Sequence, residues 1–212
     1  MNIEKFIPDE FSANNYVLYD TNSKDAVLFD PSGCFNKITK FLRENQLTPV
    51  AILVTHCHFD HVGDIKKYQD NFSNIKTYLP KKDKVLYENL DMQCSLFGAK
   101  KVDDFRVDEF IDENSEITFC NQKIKVIETP GHSAGSVCYL AGNILISGDT
   151  LFLEEIGRCD LITGSFSDIE KSILNKLFTL KDETIVLTGH GSETTIGHEK
   201  EFNAYFGKQA KY

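Results

Sequence analysis

The densest chemistry in the chain sits in six consecutive residues, His56-Cys57-His58-Phe59-Asp60-His61. Two imidazoles at i and i+2 of an extended segment project to the same side, so His56 and His58 can share one cation. A turn at Asp60-His61 would swing those side chains towards a neighbouring cation. Imidazole and carboxylate suit zinc, or iron and manganese where a carboxylate is shared. A structural zinc site would normally close its tetrahedron with thiolates. Cys57, however, alternates away from the two histidines and is expected in the core as a small apolar residue.

Three further ligand types each follow a β-type run. His132 ends Thr129-Pro130-Gly131-His132 after Ile124-Ile127, Asp149 follows Ile144-Ile146, and His190 follows Ile185-Leu187. A glycine precedes each one and would let the backbone turn sharply at the strand end. In α/β sheets, ligands gather at the carboxyl ends of strands. A lone loop histidine is ordinarily solvent-exposed; four strand ends that each deliver a ligand type are harder to dismiss. Five of the six histidines belong to this set, and His198, at the start of the last helix, is expected on the surface.

The order H-x-H-x-D-H, Gly-His, Gly-Asp, Gly-His resembles the metallo-β-lactamase superfamily from about Thr55 to His190. The resemblance implies an α/β fold, an αββα sandwich of two mixed β-sheets flanked by helices. It also implies two divalent metal ions, zinc first, with iron or manganese as alternatives. His56, His58 and His132 would hold the first metal, Asp60, His61 and His190 the second, and Asp149 would bridge them. Asp60 would also orient the attacking water, a catalytic role. A β-lactamase proper usually has cysteine at the Asp149 position, which disfavours antibiotic hydrolysis.

Two segments are similar to the small glyoxalase II-like (hydroxyacylglutathione hydrolase-like) branch. They are Gly148-Asp149-Thr150-Leu151-Phe152 with Gly157-Arg158-Cys159-Asp160-Leu161, and Gly189-His190-Gly191 with Thr194-Thr195-Ile196-Gly197. That similarity implies hydrolysis of small acyl thioesters by a hydroxide bound to the dinuclear metal site. Arg158 is then a candidate contact for a substrate carboxylate, the alternative being an ion pair with Asp160 or Asp168. Full-length glyoxalase II carries a C-terminal helical domain that contacts glutathione. Only 22 residues follow His190 here, so one domain spanning 1–212 is expected, with no such addition. The rival readings are a mononuclear iron persulfide dioxygenase, a lactonase or phosphodiesterase on the same scaffold, and a metal-binding module without catalysis.

The elements that must position these residues alternate. Strands are expected at 16–19, 26–29, 50–54, near 75–78, and at 117–119, 124–127, 136–140, 144–147 and 185–187. Helices are expected through Ile38 and Leu42, at 61–70, over much of 80–97, at 168–178 with Ser167 as N-cap, and at 198–206. Residues 100–113 look like a loop or cover. Met92, Leu96, Phe97 and Phe105 read as core before pocket. The net charge of −9, from 32 acidic and 23 basic residues with three arginines, disfavours nucleic acid as a partner. No stretch has the length and apolarity of a membrane span or a signal peptide. Six scattered cysteines without CxxC spacing suggest reduced thiols in a cytoplasm. The expected partner is a small acyl substrate, and the expected state a monomer or homodimer.

Overall fold

The computed structural model describes residues 1–8 and 12–210. The chain divides into two compact units, one of residues 1–79 with 84–111 and the other of 80–83 with 112–212.

The first unit is built on a six-stranded mixed sheet in chain order. Its strands are β1 (Asn2–Phe6), β2 (Asn15–Tyr19), β3 (Asp25–Phe29), β4 (Thr48–Leu53), β5 (Lys76–Pro80) and β6 (Glu109–Ile111). β1 to β3 form an antiparallel meander, whereas β3, β4 and β5 run parallel. Parallel neighbours require helical crossovers. Helix α1 (Phe35–Glu44) supplies the first, burying Ile38 and Leu42, four residues apart on one face. The helix expected over 61–70 is two short ones, α2 (Phe59–Val62) and α3 (Ile65–Asn71). They part at Gly63-Asp64, where Asp64 turns its carboxylate out of the helix to accept the Phe35 amide at 3.1 Å. After β5 come a single 3₁₀ turn, α4 (Lys84–Tyr87) and α5 (Leu90–Phe97), which ends at Gly98 in the left-handed conformation.

The second unit holds a sheet in the order β14-β13-β10-β9-β8-β7. The strands are β7 (Ile117–Phe119), β8 (Gln122–Glu128), β9 (Val137–Ala141), β10 (Ile144–Gly148), β13 (Ile185–Thr188) and β14 (Thr194–Thr195). A small hairpin, β11 (Leu151–Phe152) with β12 (Glu155–Ile156), stands apart. Helix α6 (Phe166–Asn175) packs Ile169 and Ile173 into a core with Leu145, Leu151 and Val186, and α7 (Ile196–Phe202) closes the chain's regular structure.

Several boundaries differ from the sequence expectation. The N-cap of α6 is Ser165, whose side chain accepts from the Asp168 amide, rather than Ser167. Ser165 is extended and tied by its own amide to the Gly131 carbonyl at 2.7 Å, so the helix starts two residues early. The last helix stops at Phe202 because Asn203 leaves the helical conformation (φ −55°, ψ 129°), its side chain accepting the Tyr205 and Phe206 amides ahead of it. Of the four apolar residues read as core, only Phe105 is buried; Met92, Leu96 and Phe97 lie exposed on α5. Strand β1, short and half polar, carried no sequence signal. Among the described residues no helix is long and apolar enough to cross a membrane.

Candidate metal centre

Strand direction determines where the candidate ligands emerge. In the first unit β3 and β4 are parallel with Phe29 opposite Leu53, so Asp30 and the Thr55-His56 segment leave the sheet at one end. In the second unit β8 and β10 both run antiparallel to β9, and β13 runs parallel to β10. The carboxyl ends of β8, β10 and β13 therefore share one edge, and they deliver His132, Asp149 and His190. Gly148 stands opposite Thr188 in the register, and the Gly189 amide donates to the Gly148 carbonyl at 2.8 Å, which fixes the last two ligands side by side.

The imidazoles of the first unit are packed and buried. The His56 ring lies 4.7 Å from that of His58, nearly perpendicular to it, and 4.0 Å from that of His61. Their protons can be assigned from the neighbours. Asp30 accepts the Thr55 amide on Oδ1 and the Thr55 hydroxyl on Oδ2, each at 2.7 Å. With its hydrogen so committed, Thr55 Oγ1 can only accept from His56 Nδ1, 3.1 Å away. His61 Nδ1 donates to Asp30 Oδ2 at 3.0 Å. Both rings thus carry the proton on Nδ1 and keep the Nε2 lone pair for a cation, the arrangement that metal-bound histidines favour. Asp60 sits in the first turn of α2 with its carboxylate 3.9 Å from His61 Nε2. Cys57 is fully buried among the apolar residues of this unit, as expected.

In the second unit one carboxylate oxygen is flanked by two imidazoles. Asp149 Oδ2 lies 3.6 Å from His132 Nε2 and 3.5 Å from His190 Nε2. These separations are long for charge-assisted hydrogen bonds. They match ligands of a shared ion, since two atoms each about 2.1 Å from a tetrahedral zinc stand about 3.4 Å apart. His132 Nδ1 faces the Arg158 carbonyl at 2.8 Å and must donate to it, which again frees Nε2. The donors have the chemistry of metal ligands, and groups of three histidine or aspartate residues that could hold an ion occur among the described residues.

Loop contacts hold these positions. The Asp83 carboxylate accepts the Ser133 hydroxyl and the Gly135 amide, each at 2.8 Å, and Ser172 of α6 donates to the Pro130 carbonyl at 2.8 Å, so the His132 loop is tied on both sides. A Cβ on Gly157 would collide with the Asp149 carbonyl oxygen and approach His132 Nδ1, which accounts for glycine before Arg158. The glycine expectation holds in part. Gly131 and Gly148 adopt positive φ before their ligands, but the third turn uses Gly191, after His190, instead of Gly189.

Arg158 makes an exposed two-pronged pair with Asp160, Nε to Oδ1 at 2.7 Å and Nη2 to Oδ2 at 2.8 Å. Hydrogen bonding to the guanidinium lowers the Asp160 carboxyl to about 2, so the pair stays ionised at any physiological pH. His198 is a partly exposed surface residue, paired with Glu154 at 3.0 Å. Asp30, Thr55 and Asp83 were not singled out from sequence. Only Asp30 left a signal there, a polar residue closing the apolar run Ala26-Val27-Leu28-Phe29.

The family model of the metallo-beta-lactamase superfamily matches residues 9–190. The chain belongs to that superfamily. Its fold is the superfamily fold, and its class is that of metal-dependent hydrolases. The hydroxyacylglutathione hydrolase GloC of Haemophilus influenzae is 32% identical over 99% of this chain and 100% of its own length. The crystal structure of BLEG-1, a B3 metallo-beta-lactamase, is 38% identical over 96% of this chain and 99% of that one, with a TM-score of 0.89. TTHA1623, solved in a di-iron-bound form, is 30% identical over 95% of this chain and 100% of that one, with a TM-score of 0.83.

Proposed function

We propose that this protein is a two-metal hydrolase of small acyl thioesters. The observation that carries the reading is the single Asp149 oxygen flanked at near-equal distance by His132 and His190. His56, His58 and His132 would hold one ion; Asp60, His61 and His190 would hold the other, and each trio has the composition of a metal group. Asp149 would serve both. Zinc suits this imidazole-rich set, and iron is the alternative, given the di-iron relative. Two such ions, when bound, acidify a water and polarise an acyl carbonyl.

The chain's own residues then orient and exclude. Asp60, one-fifth exposed at the start of α2, would hold the attacking water and its proton. The buried Asp30–Thr55 pair keeps the His56 and His61 imidazoles in one tautomer without help from solvent. In the net reaction the water oxygen forms the new C–O bond and the C–S bond breaks. One water proton ends on sulfur and the acid formed releases the other. Arg158 is assigned to the substrate, because an exposed ion pair contributes little in water and can be exchanged for a substrate carboxylate.

Thioester hydrolysis is favoured by the similarity to GloC, and hydrolysis of a β-lactam is the reading that the similarity to BLEG-1 would favour. A panel decides between them: acyl thioesters followed by thiol release, a homoserine lactone, a cephalosporin, and glutathione persulfide followed by oxygen uptake. The expected result is thiol release that a chelator abolishes and added zinc, manganese or iron restores. Turnover of the cephalosporin, lactone or persulfide with none of the thioesters would reject the proposal.

A further inference from the structure

Within the first unit a cavity of about 760 Å³ opens beside the metal-binding loop. Its volume falls within the range of small-molecule pockets. One wall is the loop itself, Phe59 and Asp60, and another is the segment Gly98 to Asp103 that follows α5. Phe59 immediately precedes the Asp60 ligand, and its ring packs against that of Phe97 with centroids 5.6 Å apart. Phe97 nonetheless leaves about half its surface uncovered at the end of α5, and Gly98 beyond it has no heavy atom near where a Cβ would stand. An apolar platform therefore lies next to a residue of the reactive centre, with open space above it.

The polar part of the lining is balanced in charge. Lys67, Lys100 and Lys101 stand against Asp60, Asp64 and Asp103. Lys67 is taken up by Asp64 at 2.7 Å and Lys101 by Asp91 at 2.8 Å. Lys100 is exposed and has no ion-pair partner among the described residues. With Lys67 and Lys101 taken up and Asp60 committed to a cation, Lys100 is the lining cation left to meet a ligand, with Asp103 as the one remaining lining carboxylate.

We infer that this cavity receives the acyl half of the substrate, and that this half is an apolar chain ending in a carboxylate, the chain lying on Phe59 and Phe97 and the carboxylate meeting Lys100. The inference rests on the thioesterase reading and sharpens it, since it names the acyl group as that of a dicarboxylic acid. An apolar body with one charged end suits such a lining because the rings gain from buried area while a single ion pair fixes the chain's register.

The test uses the metal-loaded protein and N-acetylcysteamine thioesters of one thiol, pairing butanoyl with succinyl and pentanoyl with glutaryl. The wild type is expected to favour the carboxylated partner by about tenfold in kcat/KM, mostly through KM. Lys100→Ala should erase that ratio, Phe97→Ala should raise KM for both members of a pair, and Lys40→Ala on α1 should keep the ratio. A ratio near one in the wild type, or the same ratio in Lys100→Ala, overturns the inference while leaving thioester hydrolysis standing. If no thioester is turned over, the thioesterase reading fails instead. The cavity is then judged by titrating glutarate and pentanoate into wild type and Lys100→Ala and following the aromatic resonances of Phe59 and Phe97. Tighter glutarate binding that depends on Lys100 supports it, and equal binding rejects it.

Discussion

His132 and His190 approach the same oxygen of Asp149 at almost the same distance, yet their settings differ. The His132 side chain is 3% exposed, with Nδ1 locked on the Arg158 carbonyl and its loop tied by Asp83 and Ser172. The His190 side chain is 40% exposed, and its loop is held by the Thr188 hydroxyl, which donates to the His190 and Ser192 carbonyls. One imidazole is nearly sealed from water; the other is open to it. Solvent access lets water compete for a ligand position, so an ion that depends on His190 should bind more weakly than one that depends on His132. A shared carboxylate can thus serve a resident metal and an exchangeable one.

Removing each imidazole in turn tests this contrast. His132→Ala should cost about a thousandfold in kcat/KM, as several kcal/mol of charge stabilisation are lost with the better-held ion. His190→Ala should cost less, about a hundredfold, and millimolar added metal should restore part of it. Equal losses, or rescue of His132→Ala alone, would reverse the assignment. A smaller effect is expected from Asp30→Asn, which leaves every ligand in place but weakens the acceptor that orients His56 and His61. Removal of such a partner costs about 10- to 100-fold in metal affinity, read as an earlier midpoint in a chelator titration. An unchanged midpoint would mean that the imidazoles are oriented by packing alone.

The candidate ligands were legible in the sequence because each is a chemically distinctive residue placed directly after an apolar run, and because strand direction then decides which ends coincide. His132, Asp149 and His190 follow β8, β10 and β13 as the runs at 124, 144 and 185 predict. The residues that orient the ligands were not legible. Asp30 lies 25 residues before Thr55 and becomes its partner only through the parallel pairing of β3 with β4, which no local pattern encodes. Asp83 meets Ser133 of the His132 loop across 50 residues, a tertiary contact that no local pattern encodes either. Apolar spacing also misled at α5, where Met92, Leu96 and Phe97 carry helical periodicity but lie exposed, because Gln93 and Cys94 occupy the buried face. The local pattern pointed to Ser167 as the cap of α6, whereas the backbone bond from Ser165 to Gly131, a contact between distant segments, sets the cap two residues earlier.

The account depends most on Asp149 as the carboxylate common to both ions. Elemental analysis of wild type and Asp149→Ala, purified side by side and dialysed against the same trace metal, tests it directly. About two metal ions per chain are expected in the wild type, and well below one in the variant, because both ions lose a ligand at once. Equal metal content in the two proteins would contradict it.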